Sequence, residues 1–207
     1  IKKTGYVVLA SELKHAKKVN GHFELTLNSS DKIQCNFLIN ASGLHTEDVA
    51  NRIEEINLPK IKTVMYAKGH YYFYKKKNPF KHLIYPLPNS NGHGIHAGMD
   101  IENNLRFGPN AKWVDSIEYS FDENTLEEFC NSIKSYWVNF DPSCLSPDYT
   151  GIRSKIVAEG EGSQDFEILD ASDHGLENLI HLQGIDSPGL TSSLSIAAEV
   201  ISKLGIH

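Results

Sequence analysis

The sequence predicts a mixed α/β (α+β) fold in which a lobe containing a parallel sheet is interrupted by a second, sheet-rich lobe. Three observations lead to this prediction. Strand-like apolar runs open the chain and return near its end, followed in both places by a helical pattern. A glycine turn joins one of these strands to a helix near residue 43. Between them, residues 58–121 are rich in aromatic residues, Pro and Asn.

Residues 4–40 predict a β-meander. Tyr6–Leu9 is predicted to be a short apolar strand, and Asn20-Gly21 is a strong tight-turn dipeptide that is followed by alternating apolar residues. The last strand of the meander is predicted over Ile33–Asn40 and contains the continuous apolar run Phe37-Leu38-Ile39. Such a run indicates a strand that is buried on both faces, as in a parallel sheet.

A helix is predicted after the turn Ala41-Ser42-Gly43. Thr46 is the expected N-cap, and Glu47 and Asp48 place acidic side chains in the first turn. Apolar residues recur at helical spacing through about residue 56. This part of the chain is therefore expected to form a strand, a glycine turn and a helix.

The middle of the chain predicts a separate β-sheet domain over residues 58–149, and the flanking parts, 1–57 and 150–207, are predicted to form one lobe together. Strand-like runs occupy residues 61–74, 82–87 and 93–99. A helix begins after a cap at Asp122 or Asn124, and it carries an apolar stripe made of Leu126, Phe129, Ile133 and Trp137.

Strands return after residue 149. A strand is predicted over residues 149–157, and Phe166–Leu169 and Leu179–Leu182 resemble a hairpin pair. The final helix has Pro188 at its first position, and Gly205 stops it. Its predicted buried stripe consists of Leu190, Leu194, Ala197, Ile201 and Leu204.

Composition argues against several classes of protein. The 207 residues carry a formal net charge of −6, whereas a binder of duplex nucleic acid needs a basic face. The basic run Lys75-Lys76-Lys77 follows an aromatic strand and is better explained as a solvated loop. No run approaches the ~18 apolar residues of a transmembrane segment. Three cysteines without metal-ligand spacing predict a reduced, cytoplasmic protein.

The turn Gly184–Thr191 joins a predicted strand to the final helix. The first turn of a helix presents unpaired amide groups and partial positive charge, and Gly189 permits close approach to the backbone. The turn therefore suits an anion, or a ring that gains negative charge on reduction. A plain strand-to-helix connection explains the same residues. A phosphate loop is excluded because Leu190 stands where that motif needs Lys.

His96 is a candidate acid/base residue or substrate hydrogen-bond donor, and a satisfied polar residue in a sheet is the alternative. The stretch Gly92–Ala97 matches G-x-G-x-x-A, but no helical pattern follows it, so it predicts no dinucleotide site. A strand would place His96 and Asp100 on one face and His93 on the other, so no metal site is predicted.

Arg153 and Lys155 are candidates for binding carboxylates. On a strand these two cations point to the same face, and a guanidinium holds a carboxylate through two parallel hydrogen bonds. A pair of surface salt-bridge residues is the alternative.

Several segments together resemble the D-amino-acid-oxidase-like (DAO) FAD-dependent oxidoreductases. Leu38–Leu44 resembles their second flavin-proximal strand turn, Gly151-Ile152-Arg153 their substrate-carboxylate strand, and Gly184–Thr191 the turn at the flavin pyrimidine edge. Further stretches are similar to the L-2-hydroxyglutarate dehydrogenase and oxidase group: Lys68–Tyr72, Asn78–Pro88, Arg106–Ala111 and Asp186–Thr191.

The resemblance implies oxidation of a 2-hydroxyacid to the 2-oxo acid, with FAD as cofactor. It implies Arg153 on the C1 carboxylate, Lys155 and Tyr85 in the substrate pocket, and His96 as the base. The residues that it places near the flavin are Ala41, Gly43, Gly184, Asp186, Ser187, Gly189, Leu190 and Thr191.

Two departures from the family pattern matter. Ser154 replaces the usual Pro, and the amino-terminal βαβ unit with its G-x-G-x-x-G loop does not occur in these residues. The abrupt start at Ile1–Thr4 is expected of a trimmed, split or truncated polypeptide. We therefore expect an incomplete FAD-binding lobe beside an antiparallel or mixed-sheet substrate domain, and weak or no FAD binding by this chain alone.

These departures leave three functions open. The chain is part of a 2-hydroxyacid oxidoreductase completed by a polypeptide that carries the FAD-binding half. Alternatively it is a non-enzymatic interaction module, for which a homodimer is expected because apolar surface is exposed. The third alternative is an amino-acid or amine oxidase of the same superfamily.

Overall fold

A computed structural model describes residues 5–87, 94–162 and 164–206. It confirms the mixed α/β class, with antiparallel and mixed sheets. The chain divides into two compact units, residues 1–64 with 154–207 and residues 65–153. These junctions lie a few residues beyond the boundaries expected from the sequence, which stay a prediction. No helix in the described ranges has the length and hydropathy of a membrane span.

The strands and helices follow one another along the chain as β1 (Leu13–Val19), β2 (His22–Leu27), β3 (Lys32–Cys35), β4 (Leu38–Asn40), α1 (Thr46–Ala50), β5 (Met65–Tyr74), β6 (Ala97–Met99), β7 (Leu105–Phe107), β8 (Lys112–Val114), α2 (Leu126–Lys134), β9 (Leu145–Lys155), β10 (Glu167–Leu169), α3 (Ala171–His174), β11 (Leu179–Gln183) and α4 (Gly189–Lys203).

The predicted meander forms the first sheet, with strand order β1-β2-β3. Asn20 and Gly21 both have positive φ, 50° and 87°, as a two-residue hairpin turn requires. The strand predicted over Tyr6–Leu9 is wrong, because β1 begins only at Leu13 and this apolar run is exposed without strand structure.

The strand predicted over Ile33–Asn40 divides between two sheets. Its first part, β3, stays antiparallel to β2, whereas β4 pairs in parallel with β11, which also pairs antiparallel with β10. Leu38 packs towards the meander, but Ile39 is 42% exposed. The predicted parallel pairing is therefore confirmed, whereas the prediction that this strand is buried on both faces was wrong.

Helix α1 is shorter than predicted and ends at Ala50. His45 occupies the N-cap position, and Thr46 is the first helical residue. The Thr46 hydroxyl instead donates a hydrogen bond to the carbonyl of Leu182, 2.7 Å away, so the predicted capping role of Thr46 is wrong.

Helix α4 and the residue after it pack on the sheet through a face that shares only Leu204 with the predicted stripe. Val200, with Ile196 and Leu204 partly buried, contacts Ile180 and Leu182 of β11. Of the stripe predicted to be buried, Leu190 is 91% and Leu194 85% exposed. Pro188 is the N-cap rather than the first helical residue.

The second unit is one sheet with the order β6-β7-β5-β8, in which β9 also pairs with β5. Helix α2 covers the sheet by burying Phe129 and Ile133 against Tyr72 and its neighbours. The predicted cap Asp122 accepts a hydrogen bond from the amide of Asn124, and a short 3-10 turn precedes α2.

The strand-like runs predicted in this unit are shorter than expected. The run at 61–74 becomes a strand only from Met65. The run at 82–87 contributes a single bridge between Ile84 and Ala97. The run at 93–99 contributes only β6, and His93, at its start, lies outside the described residues.

Candidate functional site

Two of the predicted flavin-facing turns leave the same edge of a parallel sheet. Asn40 of β4 is the register partner of His181 of β11, and the two strands run in parallel. The turn at residues 41–43 follows β4, and the turn at residues 184–188 follows β11 into α4. Ligands of α/β sheets bind outside the carboxyl ends of such strands. The fold thus brings together the two segments that the sequence singled out.

The turn between β11 and α4 needs glycine at both of its ends. Gly184 has φ +68°, and a Cβ there would lie 2.6 Å from Cδ1 of Ile156. A Cβ on the buried Gly189 would lie 2.7 Å from Cγ2 of Ile185. The backbone of the turn is therefore packed at close range against Ile156 and Ile185.

The amino-terminal end of α4 offers amide groups to a ligand. The amide of Gly189 donates to the carbonyl of Asp186, and that of Ser192 donates to the carbonyl of Pro188, 3.0 Å away. The amides of Leu190 and Thr191, between them, have no acceptor within the helix. Both residues are exposed at the end of a 15-residue helix, so they can face an anion or an electron-rich ring edge.

Lys155 is engaged by a residue of the same turn. Its ammonium lies 2.6 Å from the carboxylate of Asp186, whose side chain is only 12% exposed. The adjacent Ser187 amide donates to the same carboxylate, 2.6 Å away. Lys155 therefore fixes the turn, and its charge is already matched by a carboxylate.

Asn40 joins the turn after β4 to strand β11, a function that sequence reasoning missed. Its buried side chain bonds to Ser42 in the first turn, to the carbonyl of Thr46 and to the ring of His181. The only signal in the sequence is a polar residue at the end of an apolar run. That signal does not show which groups surround the side chain.

His181 is fully buried, at 0% exposure. Burial lowers its pKa to about 4, because a buried imidazolium loses its hydration. Asn40 contacts Nδ1, and Nε2 is buried without a hydrogen-bond partner among the described residues. The ring is therefore neutral near pH 7.

The candidates in the second unit lie on neighbouring segments. The bridge between Ile84 and Ala97 brings Tyr85 opposite His96, and their ring centroids are 4.3 Å apart. Tyr85 is 62% exposed, and His96 is half-buried. Arg153 is half-buried on β9 of this unit.

No group of three or more His, Cys, Asp and Glu side chains within 5–87, 94–162 and 164–206 is arranged to hold a metal ion. Asp100, one of the residues considered in the sequence, instead accepts hydrogen bonds from Arg106 and Asn104. The guanidinium of Arg106 holds the pKa of Asp100 far below its usual value.

The family model described as "FAD dependent oxidoreductase" (DAO) matches residues 2–203. The chain belongs to the DAO family of FAD-dependent oxidoreductases. Within this family it is 32% identical, over 180 residues, to the mitochondrial L-2-hydroxyglutarate dehydrogenase of Arabidopsis thaliana, a match covering 81% of this chain and 37% of that protein. It is 25% identical to glycerol 3-phosphate dehydrogenase of Caloramator mitchellensis, over 96% of this chain and 39% of that protein.

Solved structures of FAD-dependent oxidoreductases share the fold. The chain superposes on dithionite-reduced L-α-glycerophosphate oxidase from Mycoplasma pneumoniae, with FAD bound, at a TM-score of 0.78 and 17% identity, covering 95% of this chain and 50% of that one. Glycine oxidase from Geobacillus kaustophilus gives a TM-score of 0.69 at 13% identity. The chain thus spans less than two fifths of the two curated relatives named above and about half of these structures.

The residues at the sheet edge fit part of the family's cofactor. Amides at the start of α4 match the electron-rich edge of a flavin, and the glycine positions let the turn that carries them pack closely on Ile156 and Ile185. A dinucleotide-binding Gly-rich loop between a strand and a helix, which would hold the diphosphate of FAD, does not occur among the described residues. The described residues therefore fit the ring of a flavin, and none of them forms the loop that would hold the diphosphate.

Proposed function

We propose that this chain is the substrate-facing part of a flavoenzyme that oxidises L-2-hydroxyglutarate or a related 2-hydroxyacid to the 2-oxo acid. The observation that carries the proposal is the shared sheet edge from which the 41–43 and 184–191 turns both leave. The 32% identity to an L-2-hydroxyglutarate dehydrogenase favours this substrate class over others in the family.

Each candidate residue has a defined task in this proposal. Arg153 binds the C1 carboxylate through two parallel hydrogen bonds and so orients C2. His96 accepts the proton of the C2 hydroxyl, with Tyr85 packed against its ring. FAD, when bound, would supply the acceptor for the hydride that leaves C2. The amides of Leu190 and Thr191 would hold the flavin edge that becomes more negative on reduction.

An apolar groove on the first unit offers a surface on which the FAD-binding half can pack. The groove has a volume of about 370 Å³ and lies between β4 and the open flank of α4. Among the strands of the described ranges, β4 pairs with β11 alone, so its other edge is open. We propose that the polypeptide carrying the FAD-binding half packs here. The residues that line the groove are Ile39, Ala41, Leu182, Ile185, Gly189, Ser193, Ile196, Ala197, Val200 and Ile201.

A difference-spectrum titration with FAD tests the cofactor. The chain alone should give a flat or weak titration, and the chain co-expressed with the unmatched part of the Arabidopsis relative should perturb the flavin spectrum. Substrate choice is then read from flavin bleaching under anaerobic conditions by L-2-hydroxyglutarate, glycerol 3-phosphate or glycine. Bleaching by glycine alone would support the amine-oxidase alternative and contradict the proposed substrate.

Two substitutions on the same helix test the groove. Ala197→Glu places a charge in the groove, so co-purification with the FAD-binding half should be lost. Ser195→Glu, also exposed on α4 but outside the groove, is the matched control and should leave co-purification intact. Light scattering of the unmodified chain covers the alternative of an interaction module: a homodimer that Ala197→Glu dissociates would assign the groove to a second copy.

A further inference from the structure

We propose that Asn40 is a positioning residue that holds the 41–43 turn and the end of β11 together as one unit. The inference rests on the proposed function for its relevance to FAD, because these are the two turns assigned to the flavin. The geometric part of the proposal stands on the hydrogen bonds of one buried amide, which is 3% exposed.

The Asn40 side chain uses all of its hydrogen-bonding capacity. Its amide nitrogen donates to the carbonyl of Thr46 at 2.8 Å and to Nδ1 of His181 at 3.0 Å. Its oxygen accepts from the Ser42 hydroxyl at 2.6 Å and from the Ser42 backbone amide at 3.3 Å. The four contacts reach three residues, Ser42, Thr46 and His181, so the side chain links the first turn, α1 and β11.

The orientation of this amide follows from its neighbours. A flipped amide would place its oxygen against the carbonyl oxygen of Thr46 and its N–H groups against the Ser42 backbone N–H. Both pairs would be repulsive, so the nitrogen faces Thr46. His181 must then accept at Nδ1, and the single proton of its neutral ring is on Nε2.

A second hydrogen bond links the same segments. Thr46, which is 0% exposed, donates its hydroxyl to the carbonyl of Leu182 on β11. The Ser154 hydroxyl lies 3.4 Å from the carbonyl of Gly43, on the far side of the first turn. Asn40 is the member of this group that touches β4, α1 and β11 at once, so it determines the spacing of the two turns.

Two variants separate hydrogen bonding from packing. Asn40→Leu keeps the branched shape of the side chain, at a larger volume, and removes every hydrogen bond, whereas Asn40→Asp keeps the acceptor oxygen and removes both donors. Asn110→Asp is the matched control, because Asn110 is also buried and its amide also bonds to a histidine, His70, but in the other unit.

Ring ¹⁵N NMR of His181 and amide hydrogen exchange give the decisive measurements on the chain itself. Wild type should show the neutral ring with its proton on Nε2. In Asn40→Asp the proton should move to Nδ1, facing the new carboxylate. In Asn40→Leu the amides of residues 42–43 and 183–184 should exchange about tenfold faster, corresponding to about 1.4 kcal/mol. Asn110→Asp should leave all of these signals unchanged.

An unchanged His181 tautomer in Asn40→Asp, or unchanged exchange in Asn40→Leu, would overturn the proposal. A further measurement concerns FAD in the chain completed by its FAD-binding half. Its dissociation constant should rise about tenfold in Asn40→Leu and stay constant in Asn110→Asp. Wild type that binds no FAD in that complex would contradict the proposed function, and the tautomer and exchange results would still decide whether Asn40 holds the two turns together.

Discussion

The ammonium of Lys155 lies 2.6 Å from the carboxylate of Asp186, and the ion pair ties the end of β9 to the turn before α4. The Asp186 side chain is largely buried, and that of Lys155 is 29% exposed. Such a partly buried pair is stronger than a surface pair but still competes with water. Its first consequence is structural, because it fixes the turn that the flavin is proposed to meet.

We expect Lys155→Met to lower the free energy of unfolding by about 1 kcal/mol, because the Asp186 carboxylate loses its ion pair with the Lys155 ammonium. Urea denaturation of the single variants, and of a double variant that also carries Asp186→Leu, forms a double-mutant cycle. Additive losses, with no coupling between the two positions, would show that the ion pair contributes nothing to the turn.

Arg153 and Lys155 should differ in their effect on substrate binding. In the completed enzyme, Arg153→Lys should raise KM for the 2-hydroxyacid about 10- to 100-fold, because an ammonium cannot form the two parallel bonds of a guanidinium. Lys155→Met should change KM far less, because the Lys155 ammonium already forms an ion pair with Asp186. If steady-state kinetics gives the larger rise in KM for Lys155→Met, then Lys155 and not Arg153 binds the substrate carboxylate.

Gly184 should tolerate a side chain poorly. Its φ of +68° strains any other residue, and a Cβ would lie 2.6 Å from Ile156. We expect Gly184→Ala to cost about 2 to 4 kcal/mol, the sum of backbone strain and overpacking. Gly175→Ala is the control, because Gly175 has φ +84° but no atom within 4 Å of its Cβ position. If thermal unfolding shows equal losses of stability in Gly184→Ala and Gly175→Ala, the contact with Ile156 is not the cause of the loss.

The burial of His181 predicts acid destabilisation. Its pKa is lowered to about 4 in the folded chain, compared with 6.5 for an ordinary histidine. Between these values the unfolded chain binds a proton that the folded chain does not, so stability falls as the pH decreases from about 6.5 and the loss is complete below about 4. The full effect is about 3 kcal/mol, from 1.36 kcal/mol per pKa unit.

Denaturation curves between pH 7 and pH 4 measure this effect. His181→Gln, which cannot titrate, should have a shallower dependence on pH than wild type in this range. His174 is also buried with a lowered pKa, so His174→Gln provides the comparison for a neighbouring histidine. Parallel curves for wild type and His181→Gln would show that His181 does not contribute.

Local patterns predicted the elements whose signals lie within a few residues. The Asn20-Gly21 turn and the cap at Asp122 need only neighbouring side chains to form, and both occur. The β10–β11 pairing also occurs, with α3 between the two strands. The final helix occurs where it was predicted, but its predicted buried stripe was wrong. The local pattern failed for Tyr6–Leu9 because an apolar run forms a strand only beside a partner, and partners are not encoded locally.

The site was predictable only in part for the same reason. The glycines and the helix start marked the 184–191 turn, because backbone requirements are visible in residue types. The hydrogen bonds of Asn40 and Thr46 join residues more than a hundred positions apart, to His181 and Leu182. No spacing in one sequence contains that information, and it becomes visible only when parallel pairing sets β4 beside β11.

Helix α4 is apolar on two flanks, one closed over Ile180 and Leu182 and one open along the groove. The two flanks contribute to different properties of the chain. Substitution of Leu204, which packs on β11 outside the groove, will be seen in the melting temperature of the chain by itself. Ile196 and Val200 pack on β11 and also line the groove, so their substitution will affect stability and binding together. Substitutions at Ala197 or Ile201 will leave that temperature nearly unchanged and will be seen in what the chain binds. The same helix therefore contributes to folding through one flank and to assembly through the other.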